Sequence, residues 1–495
     1  MNNLRLKNYR CFTDTGDIDL RPITMLIGAN STGKSSLLKF FPLLKQTVGE
    51  FNTGLFLWTG SLVDLKDFKN TVREGENDMT VEFTIKNLPV RSRTREKLEY
   101  LTNVRVELVL SSKQDEEHYD FIKRMNISFD KHSFILEIND DGIKSLNVDN
   151  LNSLDLKEDI ILGSTNSLLP KIGFQIAEDE ISDESSVAYK RMRSLMSTEN
   201  KILFLRTLIR TNDNVFDDER LRNQILNKGK QLIDEKNVDR FINYLHYFTV
   251  NRLIDSINIY LIHLAERITY VKPLRAIVER YYRYTNLSVN EISADGSNLP
   301  MFYNSLSKET KQKLNSWLYK LFGFKIKLGA LEGHLELLIE EKNKSIRNLV
   351  DVGFGYTQIL PILTILWKKL YMDCINKPSN VCRTFIVAIE QPELHLHPRF
   401  QGLFANMLSA VVNDAKKLKI NIRIVIESHS EVIINRLGEL IADENNPLRA
   451  EDVNILIFNS PQDNLEREVT TAEFDDTGML NNWPYGFFSD YVYRD

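Results

Sequence analysis

Cysteine is scarce in this chain. Only Cys11, Cys374 and Cys382 occur in 495 residues, and none belongs to a CxxC pair. That excludes a disulfide framework and a cysteine-built zinc site, and it fits a reducing cytosol. Long apolar runs are missing too. No stretch approaches the ~20 residues that a membrane helix needs. The opening, Met1 to Lys7, lacks the apolar core of a signal peptide. The expected location is cytoplasmic, with no membrane partner. Positive charge is not in excess: the formal net charge is -5, without the global basic signature of a dedicated nucleic-acid binder. No heptad persists over three or four repeats, which speaks against a long coiled-coil arm. No internal repeat period is visible.

What is present is ordinary globular composition, 42% hydrophobic and 26% charged, sufficient for a sizeable core. At about 150 residues per domain, the length allows roughly three domains. Leu4, Leu6 and Tyr9 mark a short opening strand. The apolar run Ile23 to Ile27 predicts a second strand that ends in a glycine loop. A helix follows from Ser35, with Leu37, Leu38, Phe41 and Leu44 on one face, kinked or ended at Pro42. From about 80 to 165, apolar residues alternate, as in Val81-Phe83-Ile85 and Val104-Val106-Leu108-Leu110, which predicts an antiparallel subdomain with one wet face. From about 180 to 267 the chain turns helical and charged. The last third is again α/β: Phe385 to Ile389 and Ile422 to Ile426 predict buried parallel strands, joined by a helix over roughly Pro398 to Leu418. The fold class is α/β, a mixed sheet with an antiparallel β subdomain and a helical insertion. The expected division is 1–165, 166–265 and 266–495.

Gly28-Ala29-Asn30-Ser31-Thr32-Gly33-Lys34-Ser35 matches G-x-x-x-x-G-K-[ST]. Its glycines let backbone N–H groups converge on phosphates. The helix that follows favours anions at its N-terminus. Lys34 is placed to reach the β- and γ-phosphates, and the Ser35 hydroxyl to ligate Mg²⁺. Asn30, Ser31, Thr32, Gly33, Lys34, Ser35 and Ser36 are therefore assigned to a nucleotide, with ATP and Mg²⁺ as cofactors. A random chain this long matches the pattern roughly twice in a hundred, and here a strand precedes it and a helix follows.

A second set lies near the other end. Phe385 to Ile389 runs into Glu390-Gln391-Pro392-Glu393. A carboxylate at such a strand tip can hold Mg²⁺ through water, opposite Ser35, and Glu390 is assigned that part. The next strand runs into Glu427-Ser428-His429-Ser430, placing His429 where open α/β sheets bind ligands. Upstream, Gly353-Phe354-Gly355 opens an apolar helix over Ile359 to Leu370, a second potential anion site.

In this order the motifs resemble those of the ABC-type ATPases that include SMC heads and the OLD-like family, and more narrowly the standalone AAA-family ATP-binding proteins of bacteria. Leu4 to Phe12 looks like their first strand. Tyr270-Val271-Lys272-Pro273-Leu274-Arg275 resembles their internal Pro-Leu-Arg element. Glu390 to Pro398 is similar to their Walker B and D-loop, and Trp483 to Phe488 to their C-terminal tail. Residues from about 90 to 260 carry no motif of the family. The resemblance implies a head-to-tail ATP sandwich, a homodimer or higher homo-oligomer. In it Gly353 to Gln358 of one subunit caps the γ-phosphate held by Lys34 of another, His429 is the switch histidine and Gln46 the Q-loop glutamine.

Two departures carry consequences. The signature reads Val-Gly-Phe-Gly instead of Leu-Ser-Gly-Gly, so a serine that would touch the γ-phosphate is absent. Gln391 stands where many relatives carry the catalytic glutamate. An amide cannot accept a proton as a general base, although it can orient a water. Hydrolysis is expected to be slow, with Glu393 or His429 supplying residual base function.

Only 65 residues follow Ser430, too few for the Toprim nuclease domain of OLD-like nucleases. The eight histidines look too scattered for an HNH-like cluster. No nuclease centre is expected in the chain itself. Similar standalone ATPases occur in anti-phage systems of the Septu, retron and PARIS kinds, so the resemblance suggests a regulator or scaffold of a separately encoded effector, a nuclease. The alternative is a DNA repair or recombination ATPase that grips DNA directly. An ABC transporter ATPase ranks far behind. The clusters Arg91 to Arg95 and Lys416 to Lys419 are more simply solvated faces than nucleic-acid contacts. Arg10 and Arg275 face nucleotide, partner or packing with equal claim. His395 and His397 share one face of an extended segment, as D-loop and interface residues.

Overall fold

Alternation builds the first sheet. In this computed structural model β1 (Asn3–Tyr9) buries Leu4, Leu6 and Tyr9 and turns its polar residues outward, the pattern of a half-buried strand. The structure describes residues 1–49, 55–91, 98–112, 120–139, 142–149, 160–163, 168–174, 218–229, 233, 235–275, 278–283, 289–331, 333–374, 384–459 and 469–483. Most of the Arg91 to Arg95 cluster, Cys382 and the tail beyond Trp483 lie outside the described residues.

β1 pairs antiparallel with β2 (Phe12–Asp14), β3 (Ile18–Asp19) and β5 (Asp78–Arg91). The sheet continues antiparallel through β6 (Leu98–Ser112), β7 (Asp120–Phe129), β8 (His132–Asn139) and β9 (Gly142–Val148). This is the antiparallel subdomain that the alternation from residue 80 predicts. A short antiparallel pair, β10 (Ile160–Gly163) and β11 (Lys171–Phe174), adjoins it.

The second sheet draws on both ends of the chain. Its order is β12 (Ile268–Val271), β17 (Thr384–Glu390), β18 (Asn421–Glu427), β4 (Ile23–Gly28), β19 (Val453–Phe458), β20 (Val469–Phe474) and β21 (Leu480–Asn481). The strands from β12 to β19 are parallel, and β20 is antiparallel, so the sheet is mixed. A smaller antiparallel sheet holds β13 (Tyr282–Arg283), β14 (Phe324–Leu331), β15 (His334–Glu341) and β16 (Ile346–Asn348).

Both faces of the parallel sheet are covered, and this explains its unbroken apolar strands. Ile386 and Ala388 point into a core shared with the first sheet, α1 (Lys34–Gly49) and a long helix over Val238–Ala265. Phe385, Val387 and Ile389 point into a second core, with helices over Phe354–Lys368, Pro398–Lys417 and Glu431–Ala442. In chain order these helices are α2 (Asp218–Gly229), α3 (Val238–Ala265), α4 (Phe354–Lys368), α5 (Pro398–Lys417) and α6 (Glu431–Ala442). α3 packs on α1 and on β5.

Pro42 does not end α1, which runs through it to Gly49. Proline removes one intrahelical donor, but Phe40, Phe41, Leu43 and Leu44 around it are all at most 1% exposed. Their burial outweighs one lost hydrogen bond.

Candidate functional site

The phosphate loop joins β4 to α1. Gly28 is the last residue of β4, and a Cβ there would stand 2.5 Å from the Phe458 carbonyl oxygen of β19. Gly33 has φ +108°, and its Cβ would stand 2.5 Å from both Cys11 Sγ and Phe12 Cζ. The turn after β1 therefore presses directly on the loop, and only glycine fits. Thr32 is buried and its hydroxyl donates to the Ala29 carbonyl at 2.9 Å, closing the loop. Lys34 Nζ donates to the carbonyls of Gly28 at 2.9 Å and Ala29 at 2.6 Å. Burial pulls the Lys34 pKa down, and the charges of Glu427 and Glu393 oppose that only in part.

In front of the loop lies a cavity of about 920 Å³, lined by Asn30, Ser31, Gly33, Lys34, Ser35 and Ser36 together with Arg10, Arg73, Gln391 and Glu427. The volume suits a nucleotide-sized ligand. Arg10 donates to the Asn70 carbonyl at 3.2 Å from the rim. Asn70, Arg73 and Glu74 join this lining without any sequence motif to announce them.

The two carboxylate-bearing strands meet the loop unequally. β18 lies beside β4, with Glu427 paired to Leu26, and β17 lies one strand further out. Glu427 therefore reaches the cavity, while Glu390 does not line it. Glu390 is 5% exposed and accepts from the Tyr270 hydroxyl at 2.7 Å. Burial pushes its pKa up, and the Tyr270 hydrogen bond opposes the shift. The sequence motif contained Glu427, but strand order, invisible in the sequence, decides which acid lines the cavity.

Gln391 sits at φ 42°, in the left-handed region that a non-glycine residue occupies at a cost. Its amide N–H donates to the Glu427 carbonyl at 2.8 Å. Arg275 fastens the same turn: it donates to the carbonyls of Pro273 at 2.8 Å and of Gln391 and Glu390 at 3.3 Å each. Burial pushes its pKa down to about 10. Of its candidate roles the structure gives Arg275 the packing one, as the clamp of this turn.

Glu393 Oε1 accepts from the His429 amide at 2.6 Å. Burial raises the Glu393 pKa, and burial together with the Lys34 charge lowers that of His429. A neutral imidazole and an acid of raised pKa thus stand near the lysine, a combination able to hold or move a proton. Ser430 caps α6, accepting from the Ile433 amide at 3.1 Å, and so fixes the end of the His429 segment.

Other predicted residues are placed elsewhere in the single chain. The Gln46 side chain donates to the Leu57 and Val63 carbonyls and accepts from the Val63 amide at 3.1 Å. It lines a second cavity of about 390 Å³ with Tyr270, Lys368 and Lys369. Gly353 is the exposed N-cap of α4 at φ 91°, and neither it nor Gly355 lines the phosphate cavity. His395 and His397 are not on an extended segment. Pro392 to His395 form a turn with His395 at φ 61°, and His397 caps α5, accepting from the Arg399 amide at 3.2 Å. Pro398 occupies the first helical position, where its missing N–H leaves no bond unmade. Lys416, in the second basic cluster, pairs with Asp452 at 2.6 Å.

The residues fit a magnesium–nucleotide. Glu427 Oε2 is buried without a hydrogen-bond donor among the described residues, and Glu427 and Ser35 line the same cavity. Two oxygen ligands beside an anion cradle are what hydrated Mg²⁺ takes. Histidines were expected to be scattered, yet His132 and His246 bring their rings to 4.7 Å between centroids. Folding places them together across a sequence separation no motif spans.

A family model described as an AAA ATPase domain matches residues 1–434, and the chain belongs to that family. Endonuclease GajA of Bacillus cereus (strain HuB5-5) is 25% identical over 314 residues, covering 56% of this chain and 41% of that protein. The chain therefore spans less than half the length of that relative. An SMC head domain from Thermotoga maritima aligns over 96% of this chain and 98% of its own, at 9% identity and a TM-score of 0.33. The SMC head domain of Pyrococcus furiosus bound to the C-terminal domain of ScpA covers 95% and 96%, at 12% identity and a TM-score of 0.32. Scores this low carry no weight for fold or function, and the fold class rests on the strand order above.

Proposed function

We propose that this AAA-family chain is an ABC-type ATPase that binds ATP with Mg²⁺ and hydrolyses it slowly. It dimerises head-to-tail around the nucleotide and regulates a separately encoded effector, a nuclease, in anti-phage defence. The observation that carries slow hydrolysis is that Gln391, which stands where the resemblance expects a base, is among the residues lining the phosphate cavity. Lys34 and the loop amides bind the phosphates. Ser35 and Glu427 would hold a hydrated Mg²⁺, whose charge would offset that on the transferred phosphoryl group. Gln391 orients a water without taking its proton. The exposed Gly353 turn at the start of α4 is open to a second subunit. The partial similarity to an endonuclease of Bacillus cereus supports the link to nucleic-acid cleavage.

Steady-state ATP hydrolysis tests this, with Lys34→Ala and Gln391→Glu measured beside the parent. Slow turnover that Lys34→Ala abolishes and Gln391→Glu raises is the expected result. Fast parent turnover that Gln391→Glu leaves unchanged sinks the slow-clamp mechanism. Co-purification of a nuclease supports the effector; ATP-strengthened, salt-sensitive duplex binding without one favours a DNA ATPase instead.

A further inference from the structure

Four side chains from distant parts of the sequence close into one cage between the first sheet and the helices that cover it. His132 opens β8, Asp149 follows β9, Asp218 starts α2 and His246 lies within α3. Both Nδ1 atoms face a single oxygen, Asp149 Oδ2, from His246 at 2.8 Å and from His132 at 3.2 Å. Both Nε2 atoms face Asp218 Oδ1, at 3.3 Å from His246 and 3.8 Å from His132. The rings meet edge to face at 85°. The His246 side chain is 0% exposed, that of His132 4% and that of Asp149 9%. The remaining carboxylate oxygens are used: Asp149 Oδ1 accepts from the Ser133 amide at 2.9 Å, and Asp218 Oδ2 pairs with Lys131 at 2.5 Å.

Such a cage calls for positive charge at its centre. Asp218, 24% exposed, already has Lys131 as a partner, but burying the Asp149 carboxylate is costly unless it is neutralised too. His246 faces both acids, and a neutral imidazole carries only one N–H. A second proton on each ring would put two cations 4.7 Å apart in a buried site. One divalent ion serves both rings at once. Their Nδ1 lone pairs and Asp149 would become its ligands, leaving both Nε2 atoms turned toward Asp218, that of His246 the nearer at 3.3 Å. A carboxylate behind each ligating histidine is the usual support of such sites. Ligands about 2.1 Å from a tetrahedral ion stand roughly 3.4 Å apart, close to the spacing at Asp149.

We propose that His132, His246 and Asp149 bind a divalent transition-metal ion of the zinc class, with Asp218 orienting both imidazoles. Two imidazoles and one carboxylate are a donor set that zinc takes, unlike the oxygen-rich surroundings that Mg²⁺ prefers. The bound ion ties α2 and α3 to the β8–β9 hairpin. It gives the region that carries no sequence motif a defined part, independent of the phosphate cavity.

The test uses the full chain, stripped with a chelator and titrated with cobalt(II) in the absence of nucleotide. One equivalent producing visible ligand-field bands, displaced by one equivalent of zinc, is expected. His132→Gln and Asp149→Asn should abolish the bands. Asp218→Asn should keep the stoichiometry and weaken binding by about 10–100-fold, as loss of a supporting carboxylate does. If a variant does not fold, the parent alone decides, since zinc or cobalt must raise its melting temperature and the chelator must lower it. A parent chain with no bands and no metal-dependent melting overturns the proposal, as do bands that survive both ligand substitutions.

Discussion

The Tyr270 hydroxyl donates to Glu390 Oε1 at 2.7 Å, from the neighbouring strand β12 to the tip of β17. This bond stabilises the ionised carboxylate inside a site whose burial works against it. Removing it lets the Glu390 pKa rise further. Hydrogen bonds to charged groups contribute about 1.5–3 kcal/mol, and one pKa unit corresponds to about 1.4 kcal/mol. In Tyr270→Phe the acid limb of the ATP turnover profile should move to higher pH by about one unit. A superimposable profile would show that Glu390 ionisation does not limit turnover.

Glu427, not Glu390, stands on the strand beside the phosphate loop. Glu427→Gln should therefore raise the Mg²⁺ concentration for half-maximal turnover by at least about tenfold, one metal-directed carboxylate being lost. Glu390→Gln should affect the turnover rate more than the Mg²⁺ requirement. A magnesium titration of both variants decides, and the reverse pattern would return the metal to Glu390.

Gly33 leaves no room for a methyl group against Cys11 and Phe12. Its φ of +108° also strains any other residue. Gly33→Ala should cost about 1–3 kcal/mol of stability and abolish nucleotide binding, read by denaturant unfolding and by fluorescent-nucleotide titration. Parent-like affinity in that variant would mean that the loop rearranges freely.

Asp373 pairs with two buried lysines, Lys368 and Lys369, the latter at 2.9 Å. Burial pushes the Lys369 pKa down to about 8. Burial also raises Asp373, but Lys369 and Lys368 more than reverse this and hold it below the ordinary 3.8. A carboxyl depressed on folding stabilises the fold above its unfolded pKa and loses that contribution as pH falls through the folded value. Asp373→Asn should cost about 3 kcal/mol at neutral pH, with the difference from the parent shrinking only below pH 4. A loss under about 1 kcal/mol in urea unfolding at pH 7 would mean that the lysines find other compensation.

Much of the phosphate loop was legible because its requirements are local. Gly28, Gly33, Lys34 and Ser35 act through backbone freedom and fixed spacing along a few residues. The alternation of Val104, Val106 and Leu108 likewise announces a half-buried strand, since neighbouring side chains on a strand always face opposite sides. The apolar runs at Phe385 and Ile422 announced covered strands for the same reason. Pro42 does not end its helix, because a proline's effect there depends on how firmly the surrounding side chains are packed, and sequence gives only the missing donor.

Relations between distant segments belong to the tertiary structure. That β18 separates β4 from β17, so that Glu427 faces the loop, follows from strand order, which no local pattern encodes. The cage of His132, Asp149, Asp218 and His246 needs two strands and two helices to meet, and its residues read as unrelated along the chain. The sequence by itself determined where the chain can turn, which strands are covered and where the glycine loop leads into a helix, because those depend on neighbouring residues. Which carboxylate lines the cavity beside the loop, and which histidines share a carboxylate, only long-range packing decided, because close approach in space is set by the buried cores and not by separation along the chain.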